Sequence, residues 1–192
     1  GFVSRGLGDV YKRQISGKGS NLKNLIKKTR DYNFPINIKL VISNNKNAHG
    51  INYAKINSIP FLIINTKKRG FENLILEIIK KNKISLICLA GYMKIISKKF
   101  IREFRKKIIN VHPSLLPNYK GLDTYNRVLK NKEKKTGCTI HFINEKLDDG
   151  KIINKKFFFI NKDENLKTLK IKTQKLERLA YPEAIIKLYR YR

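Results

Sequence analysis

The stretch FENLILEIIKKNKISLICLA, residues 71–90, shows the pattern that decides the fold. In its first half, apolar side chains recur at spacings of three and four residues, which predicts an amphipathic helix. Its second half, residues 84–90, is apolar almost without interruption, as expected of a strand that is covered on both faces of a sheet. A helix that leads directly into such a strand is the repeating unit of a parallel α/β sheet. The apolar residues of the helix are Phe71, Leu74, Ile75, Ile78 and Ile79.

The same alternation continues on both sides of this stretch. Residues 138–143 and 151–160 are predicted to form adjacent antiparallel strands, and residues 164–188 a helix that bends or breaks near Pro182. We therefore predict an α/β fold with a mostly parallel, doubly wound sheet and antiparallel strands in the C-terminal half. The other predicted elements are a helix that begins with a capping Ser-Asn pair at Ser20, helices at residues 50–57 and 97–106, and strands at residues 37–43, 60–65 and 107–111.

The charge balance is strongly basic. The 192-residue chain is long enough for one domain with a substantial core, and it carries 43 Lys and Arg against 14 Asp and Glu, a formal net charge of +29. This excess fits a nucleic-acid-binding module, and it also fits a genome of low G/C content, because Lys, Asn and Ile share A/T-rich codons. We favour the second explanation, since the basic residues are scattered and are not interleaved with aromatic stacking platforms.

Cys88 and Cys138 each lie in an apolar, strand-like run without a second Cys or His at ligand spacing. We expect both to be core residues in a reducing compartment, with no disulfide and no metal site. No apolar run approaches the ~18 residues of a membrane span, and the N-terminus lacks the apolar core of a signal peptide. The sequence predicts a cytoplasmic protein without membrane contact, either a monomer or a homodimer.

Residues 1–14, GFVSRGLGDVYKRQ, show neither a helical nor a strand period, and they adjoin a strongly patterned segment at Ile15. They resemble the translation of leftover library or adapter sequence. We therefore predict that residues 1–14 are a non-native leader and that residues 15–192 are the native domain.

Asn110 and His112 stand two residues apart at the end of a predicted strand, so their side chains project to the same face. Pro113 then removes a ladder donor and turns the chain away, which leaves both side chains at the edge of the sheet, where open α/β sheets bind ligands. An amide donor beside an imidazole suits the stabilisation of a developing oxyanion, with the histidine as general acid. For either residue alone, a polar loop residue bonded to backbone is the alternative interpretation.

Asp148 lies in the turn between the two late strands, within the run LDDG at residues 147–150. A carboxylate that reaches His112 would favour the protonated imidazole, whereas the alternative is an ordinary turn carboxylate. Asp149 is the neighbouring candidate. His141 alternates with apolar neighbours and is either a core histidine with satisfied hydrogen bonds or a group that supports the site.

Residues 17–21, GKGSN, precede the first predicted helix. Unpaired backbone N–H groups and the helix dipole at such a place suit a phosphate. A short Gly-x-Gly turn is more often only a tight connection, and this run is neither a dinucleotide fingerprint nor a Walker loop.

Five segments follow one another in order: ISGKGSNL (15–22), LAGYMKII (89–96), INVHPSLLPNYKG (109–121), GCTIHF (137–142) and LDDG (147–150). Together they resemble the glycinamide ribonucleotide (GAR) formyltransferase family. The resemblance implies a single-domain, Rossmann-like formyltransferase fold. It also implies transfer of a formyl group from the co-substrate 10-formyltetrahydrofolate to the amine of GAR in purine biosynthesis, without a metal. The catalytic domain of methionyl-tRNA formyltransferase and formyltetrahydrofolate hydrolase share much of the pattern and are the alternatives; the His-Pro pair, the GKGSN loop and the single-domain length favour the GAR enzyme.

By this resemblance, Asn110 and protonated His112 stabilise the tetrahedral oxyanion. Asp148 keeps His112 charged and helps to organise proton transfer. GAR and 10-formyltetrahydrofolate are the expected partners, and nucleic acid is not. The implied GAR-binding residues are Gly19, Ser20, Asn21 and Glu177, and the implied folate-binding residues are Arg69, Met93, Lys94, Ile95, Ile96 and Asn110.

Two positions depart from the family pattern. Asp123 stands where many relatives have a histidine, which bears on one folate contact. The family begins with an apolar central strand that leads into the glycine loop, whereas this chain has VYKRQ at residues 10–14. Burying Lys12 or Arg13 without a partner costs on the order of several kcal/mol. We therefore expect the family fold with an altered first strand.

Overall fold

A computed structural model of the protein describes residues 2–4, 8–15, 19–90 and 96–190, the first two ranges by their backbone. The chain has the mixed α/β fold that the sequence predicts, with parallel and antiparallel strand pairs, and it forms two compact units, Gly1–Ile109 and Asn110–Arg192. The described strands are β1 (Phe2–Ser4), β2 (Gly8–Ile15), β3 (Asn37–Ser43), β4 (Phe61–Ile63), β5 (Ile84–Ala90), β6 (Lys107–His112), β7 (Lys135–Phe142) and β8 (Ile152–Phe159). The described helices are α1 (Ser20–Lys28), α2 (His49–Ile56), α3 (Phe71–Lys81), α4 (Lys98–Phe104), α5 (Thr124–Lys130) and α6 (Leu166–Arg190).

The first unit is built mainly on parallel strands. β2 pairs in parallel with β3 and with β5, and β3 pairs in parallel with β4, while β1 runs antiparallel to β2 and β3. Both alternating sets of side chains in β5 are buried, so both faces of this strand are covered. Helix α1 buries Leu22 and Leu25 of its predicted apolar stripe. Helix α3 buries Ile75 and Ile79 of its stripe but leaves Leu74 exposed.

Two details of the first unit differ from the sequence prediction. β4 is shorter than the predicted run of residues 60–65, because its partner β3 ends at Ser43, which pairs with Ile63. The sequence predicts that a Ser-Asn pair caps helix α1, and this prediction is wrong. Its N-cap is Gly19, whose φ of 62° is left-handed and which makes no side-chain hydrogen bond, so Ser20 is already the first helical residue.

Strand β2 occupies the segment that shows no strand period in the sequence. Its backbone lies between β3 and β5, with Arg13 opposite Ile42 and Ile15 opposite Ala90, and its register with β3 shifts between Val10 and Tyr11. Backbone hydrogen bonding therefore forms a strand here without help from an alternating pattern. The non-native origin of residues 1–14 stays a prediction.

The second unit contains the end of β6, from Asn110 onward, followed across the sheet by β7 and β8, and the helices α5 and α6. β7 and β8 are antiparallel neighbours, as predicted, from the pair Lys135 and Phe159 to the pair His141 and Ile152. β7 begins three residues before the predicted run, because the polar residues Lys135 and Thr136 pair with β8 although they lack an apolar pattern. Helix α5 has only seven residues and was not predicted.

Helix α6 runs without a break through Pro182, where the sequence predicts a bend or a break. Proline removes one backbone donor from a helix and usually interrupts it. Here Ala180, Tyr181, Pro182 and Ala184 are all buried, and packing of this face outweighs the lost hydrogen bond.

The two cysteines, Cys88 and Cys138, are buried, as expected of core residues. Burial, together with the nearby charge of Glu177, raises the pKa of the Cys138 thiol to about 12, so this thiol stays protonated. Among the described helices, none is both long enough and apolar enough to cross a membrane.

Hydrogen bonds and an ion pair between polar side chains join β8 to α6. The Nδ2 of buried Asn154 donates to the carbonyl of Ala180 at 3.2 Å and to Oε2 of Glu183 at 3.1 Å, while Nζ of Lys187 donates to its Oδ1 at 2.8 Å. Lys156 forms an ion pair with Glu183 at 2.9 Å. Burial acts to raise the pKa of Glu183, but the hydrogen bonds and the charges of Lys156 and Lys187 together lower it.

The first prediction concerns this carboxylate. A lowered pKa in the folded state means that Glu183 stabilises the fold above its ordinary pKa and loses that contribution as the pH falls through the lowered value. We expect Glu183→Gln to reduce the free energy of unfolding by about 0.5–1 kcal/mol near pH 7 and by almost nothing near pH 3. Urea denaturation at both pH values measures this difference. Glu77→Gln, at an exposed position of α3, is the control, and an equal loss in both variants would contradict the prediction.

The turn between β7 and β8 depends on Gly150. A Cβ atom built on this glycine would lie 1.7 Å from the carbonyl oxygen of Phe142, far inside contact distance. The backbone of residue 150 therefore approaches β7 as closely as only glycine allows.

We predict that Gly150→Ala lowers the free energy of unfolding by about 2–4 kcal/mol, because the turn must move away from Phe142. Gly70→Ala is the matched control: among the described residues beyond its chain neighbours, no heavy atom lies within 4 Å of a Cβ built on Gly70. Its φ of +79° therefore adds only backbone strain, about 1 kcal/mol. Chemical denaturation compares the two variants. A loss at Gly150 no larger than that at Gly70 would refute the close approach.

Candidate active site

Strand β6 carries the predicted pair of polar residues. Asn110 is half-buried, His112 is the last residue of the strand and is 5% exposed, and Pro113 follows it, as predicted. The strand ends where proline can no longer donate to a neighbour.

Both ring nitrogens of His112 face oxygen atoms of the protein. Nδ1 lies 3.3 Å from Oδ2 of Asp148, and Nε2 lies 2.8 Å from the main-chain oxygen of Tyr119. The structure therefore brings His112 and Asp148 together, as the sequence predicts. A carbonyl and a carboxylate only accept hydrogen bonds, so this arrangement is satisfied when both nitrogens carry a proton.

Asp148 is held from several sides. It is 9% exposed and has a left-handed backbone, with φ 47°. Its Oδ2 accepts a 2.9 Å hydrogen bond from the main-chain N–H of Gly121 as well as the contact with His112. A carboxylate buried to this degree requires such donors, because an unpaired buried charge costs several kcal/mol.

The neighbouring candidate, Asp149, points elsewhere. It forms an ion pair and a hydrogen bond with Lys120, and both groups are partly exposed. The hydrogen bond and the charge of Lys120 lower the pKa of Asp149. Of the two aspartates, Asp148 is the one that meets His112.

His141 is fully buried beside Asp148. Its Nδ1 lies 2.9 Å from the carbonyl of Phe142 and donates to it, and its Nε2 lies 3.7 Å from Oδ1 of Asp148, beyond a direct hydrogen bond. Burial lowers the pKa of His141, although the Phe142 carbonyl and the Asp148 charge act in the opposite direction. Of the two interpretations that the sequence leaves open, the position favours a group that supports the site.

The loop after β6 is fastened to β7. Oγ1 of Thr139 donates to the carbonyl of Ser114 at 2.7 Å and accepts from the N–H of Leu116 at 3.1 Å. Oγ of Ser114 donates to the carbonyl of Asn118 at 2.6 Å, and Nζ of Lys155 donates to the carbonyl of Leu116. These bonds fix the chain between His112 and the segment that returns to contact it.

Tyr119 was not identified from the sequence. It acts through its main-chain oxygen, which every residue type has, so the sequence carries no signal for this role. The one unusual feature is conformational: Tyr119 has a left-handed backbone, with φ 59°.

The predicted phosphate-binding residues lie at the start of α1. Gly19 is the N-cap, Ser20 opens the helix, and Asn21 is 8% exposed. The first N–H groups of a helix lack partners within it, which suits an anion. The preceding residues 16–18 lie outside the described part of the chain.

The other predicted binding residues lie at several different places along the chain. Arg69 is exposed before α3, and Ile96 is buried before α4, whereas Met93, Lys94 and Ile95 lie outside the described residues. Glu177 on α6 is 8% exposed. Burial, and to a smaller extent the charge of Glu177, raises the pKa of Tyr125.

Asp123, the departure from the family pattern, is the exposed residue before α5. Its φ is 55°, and its Oδ1 accepts a 2.5 Å hydrogen bond from Nδ2 of Asn126. The residues that the structure describes contain no group of three His, Cys, Asp or Glu side chains that could hold a metal ion.

Comparisons with known proteins point to one family. The formyl transferase family model matches residues 14–185. A phosphoribosylglycinamide formyltransferase of Haemophilus influenzae is 36% identical over 175 residues, which cover 89% of this chain and 82% of that protein. The trifunctional purine biosynthetic protein adenosine-3 of Drosophila melanogaster is 38% identical over 180 residues, which cover 91% of this chain and 13% of that protein. The chain spans 13–17% of the length of the first trifunctional relatives.

Solved structures agree with the sequence comparisons. The phosphoribosylglycinamide formyltransferase of Brucella melitensis superposes with a TM-score of 0.87 at 33% identity, covering 96% of each chain. That of Anaplasma phagocytophilum superposes with a TM-score of 0.84 at 33% identity, covering 92% of this chain and 84% of the other. The resemblance seen in the sequence motifs is thus confirmed, and this chain belongs to the formyl transferase family.

Proposed function

We propose that the protein transfers the formyl group of 10-formyltetrahydrofolate to the amine of GAR in purine biosynthesis. The observation that carries the proposal is the 3.3 Å contact between Nδ1 of His112 and Oδ2 of Asp148. His112 lies two residues after Asn110 on β6. The names of the Haemophilus, Brucella and Anaplasma relatives support GAR as the acceptor.

In the proposed reaction, the amine nitrogen of GAR attacks the formyl carbon and forms a new C–N bond. The formyl oxygen becomes an oxyanion, which the Asn110 amide and a positively charged His112 stabilise. The negative charge of Asp148, whose Oδ2 lies 3.3 Å from Nδ1 of His112, keeps the second proton on this nitrogen. The bond to the folate nitrogen then breaks, the amine loses a proton, and the folate nitrogen gains one. Asp148 helps to organise this proton transfer.

A three-centre hydrogen bond gives His112 access to the oxyanion. Its Nε2 proton already meets the carbonyl of Tyr119 at 2.8 Å, and a donor shared between two acceptors is common in proteins. In the proposed mechanism the substrate oxygen shares this proton without displacing Tyr119.

The proposed binding residues keep the assignment that the family resemblance implies. Gly19, Ser20 and Asn21 hold the phosphate of GAR with the first N–H groups of α1, and Glu177 contacts the ribonucleotide. The folate is bound through Asn110 together with Arg69, Met93, Lys94, Ile95 and Ile96. Folate is a co-substrate in this proposal, and no metal takes part.

The alternatives differ in the acceptor. Methionyl-tRNA formyltransferase activity would use charged tRNA as the formyl acceptor, and hydrolase activity would use water. The non-enzymatic alternative, a nucleic-acid-binding module, would need its basic residues on one face. Exposed lysines lie on α1, α3, α4, α5 and α6 alike, which supports the small-molecule substrate. The proposed compartment is the cytoplasm, with a monomer and a homodimer both compatible with the site.

The third prediction tests the catalytic residues. We expect His112→Ala and Asp148→Asn each to lower kcat for GAR formylation by about a hundredfold or more, because the oxyanion loses its charged partner. Asp149→Asn is the matched control, since this neighbour pairs with Lys120 and not with His112, and it should keep nearly full activity. Full activity in both His112→Ala and Asp148→Asn would remove the mechanism.

The acceptor is tested separately with the unmodified protein. GAR, charged initiator tRNA and water are compared as formyl acceptors, with release of tetrahydrofolate as the measurement. The proposal expects rapid turnover with GAR only. Faster turnover with charged tRNA or with water would replace GAR formylation by the corresponding alternative.

A further inference from the structure

The main-chain oxygen of Tyr119 determines how His112 is presented. It accepts the hydrogen bond from Nε2 at 2.8 Å, while Asp148 meets Nδ1 at 3.3 Å. A carbonyl cannot donate, so this contact fixes a proton on Nε2. It also prevents rotation of the ring about χ2, because rotation breaks both contacts at once.

Three side chains hold Tyr119 in place. Its hydroxyl donates to Oε1 of Glu133 at 2.6 Å and accepts from Nδ2 of Asn131 at 2.9 Å. The guanidinium carbon of Arg127 lies 5.4 Å from the centre of its ring, within the range of a cation–π contact. We call Tyr119, Arg127, Asn131 and Glu133 the Tyr119 cluster.

The cluster acts on a strained backbone. A left-handed φ of 59° is unusual for tyrosine and persists only where the surroundings enforce it. Glu133 restrains the phenol, since its carboxylate accepts a hydrogen bond from the hydroxyl. That hydrogen bond raises the pKa of Tyr119, so the hydroxyl remains the donor at neutral pH.

The same segment also serves Asp148. Nη1 of Arg127 donates to the carbonyls of Lys120 at 2.7 Å and Leu122 at 3.1 Å, on either side of Gly121. The N–H of Gly121 donates to Oδ2 of Asp148 at 2.9 Å. One short segment, residues 119–122, therefore supplies the acceptor for His112 and a donor for Asp148.

We propose that Tyr119 is a positioning residue for His112, and that Glu133 acts through it. The phenol anchors the segment so that the Tyr119 carbonyl fixes the proton and the orientation of the imidazole against Asp148. The expected effect on catalysis rests on the proposed function, whereas the effect on the histidine ring does not.

The competing explanation is purely structural. Other bonds also hold this segment, including the one from Oγ of Ser114 to the carbonyl of Asn118 and those from Arg127. If they suffice, loss of the phenol hydroxyl changes stability but leaves the histidine ring as it is. The state of the ring separates the two explanations.

The fourth prediction uses Tyr119→Phe, which keeps the aromatic ring and removes both hydroxyl contacts. We expect the Nε2 proton of His112, observed by ¹H–¹⁵N NMR of the imidazole, to exchange with water about tenfold faster. We expect kcat for GAR formylation to fall about fivefold, with KM values within about twofold. Tyr53→Phe, which removes a hydroxyl on α2, should change neither measurement.

Substitutions of Glu133 keep the test decisive if Tyr119→Phe folds poorly. Glu133→Ala should reproduce the NMR and kcat changes with the tyrosine in place, whereas Glu133→Gln retains an acceptor oxygen and should restore both. The double variant Tyr119→Phe with Glu133→Ala should be no worse than either alone.

An unchanged His112 signal and unchanged kcat in folded Tyr119→Phe and Glu133→Ala would overturn the proposal. A second outcome separates the two proposals. If the variants change the exchange of the His112 ring proton but the unmodified protein does not formylate GAR, the proposed function is rejected and the positioning role of Tyr119 stands.

Discussion

The buried contact between His112 and Asp148 is the constraint on which the site depends. With exposures of 5% and 9%, neither group can rely on water to solvate a charge. An unmatched buried carboxylate costs several kcal/mol, so the fold must supply partners for every lone pair that it hides. Nδ1 of His112 and the N–H of Gly121 do so for Oδ2 of Asp148.

The elements of the second unit are arranged to meet this requirement. β6 carries His112 at its end, and the turn between β7 and β8, where Gly150 closely approaches Phe142, carries Asp148. Thr139 on β7 ties down the loop that leads from His112 to Tyr119. His112, Asp148 and the main-chain groups between them are thus fixed by contacts within one strand pair and one loop. A preorganised arrangement of this kind is what stabilisation of a transient oxyanion needs.

Much of the fold could be predicted from the sequence, because periodicity reports burial. The apolar runs at Asn37–Ser43 and Ile84–Ala90 gave strands with the same bounds, and the helical stripe after Phe71 gave α3. Where packing or backbone pairing outweighs local preference, the pattern was misleading. Residues 8–15 form a strand without a strand period, and Pro182 lies inside an intact helix because the surrounding face is buried.

The parts of the site that depend on particular side chains could be predicted from the sequence, and the parts that depend on main-chain atoms could not. Asn110 and His112 followed from strand geometry and the proline after them. Asp148 could be chosen over Asp149 only by family resemblance, since both lie in one turn and only the structure separates the residue that meets His112 from the one that meets Lys120. The Tyr119 carbonyl could not be predicted, because main-chain atoms leave no mark on a sequence.

In the proposed mechanism, formyl transfer takes place beside Asn110 and His112. A crystal structure with GAR and a folate analogue that cannot release its formyl group tests it most directly. We expect the formyl oxygen to lie within hydrogen-bond distance of the Asn110 amide and of Nε2 of His112, with the contact between His112 and Asp148 intact. A formyl group bound away from both residues would contradict it.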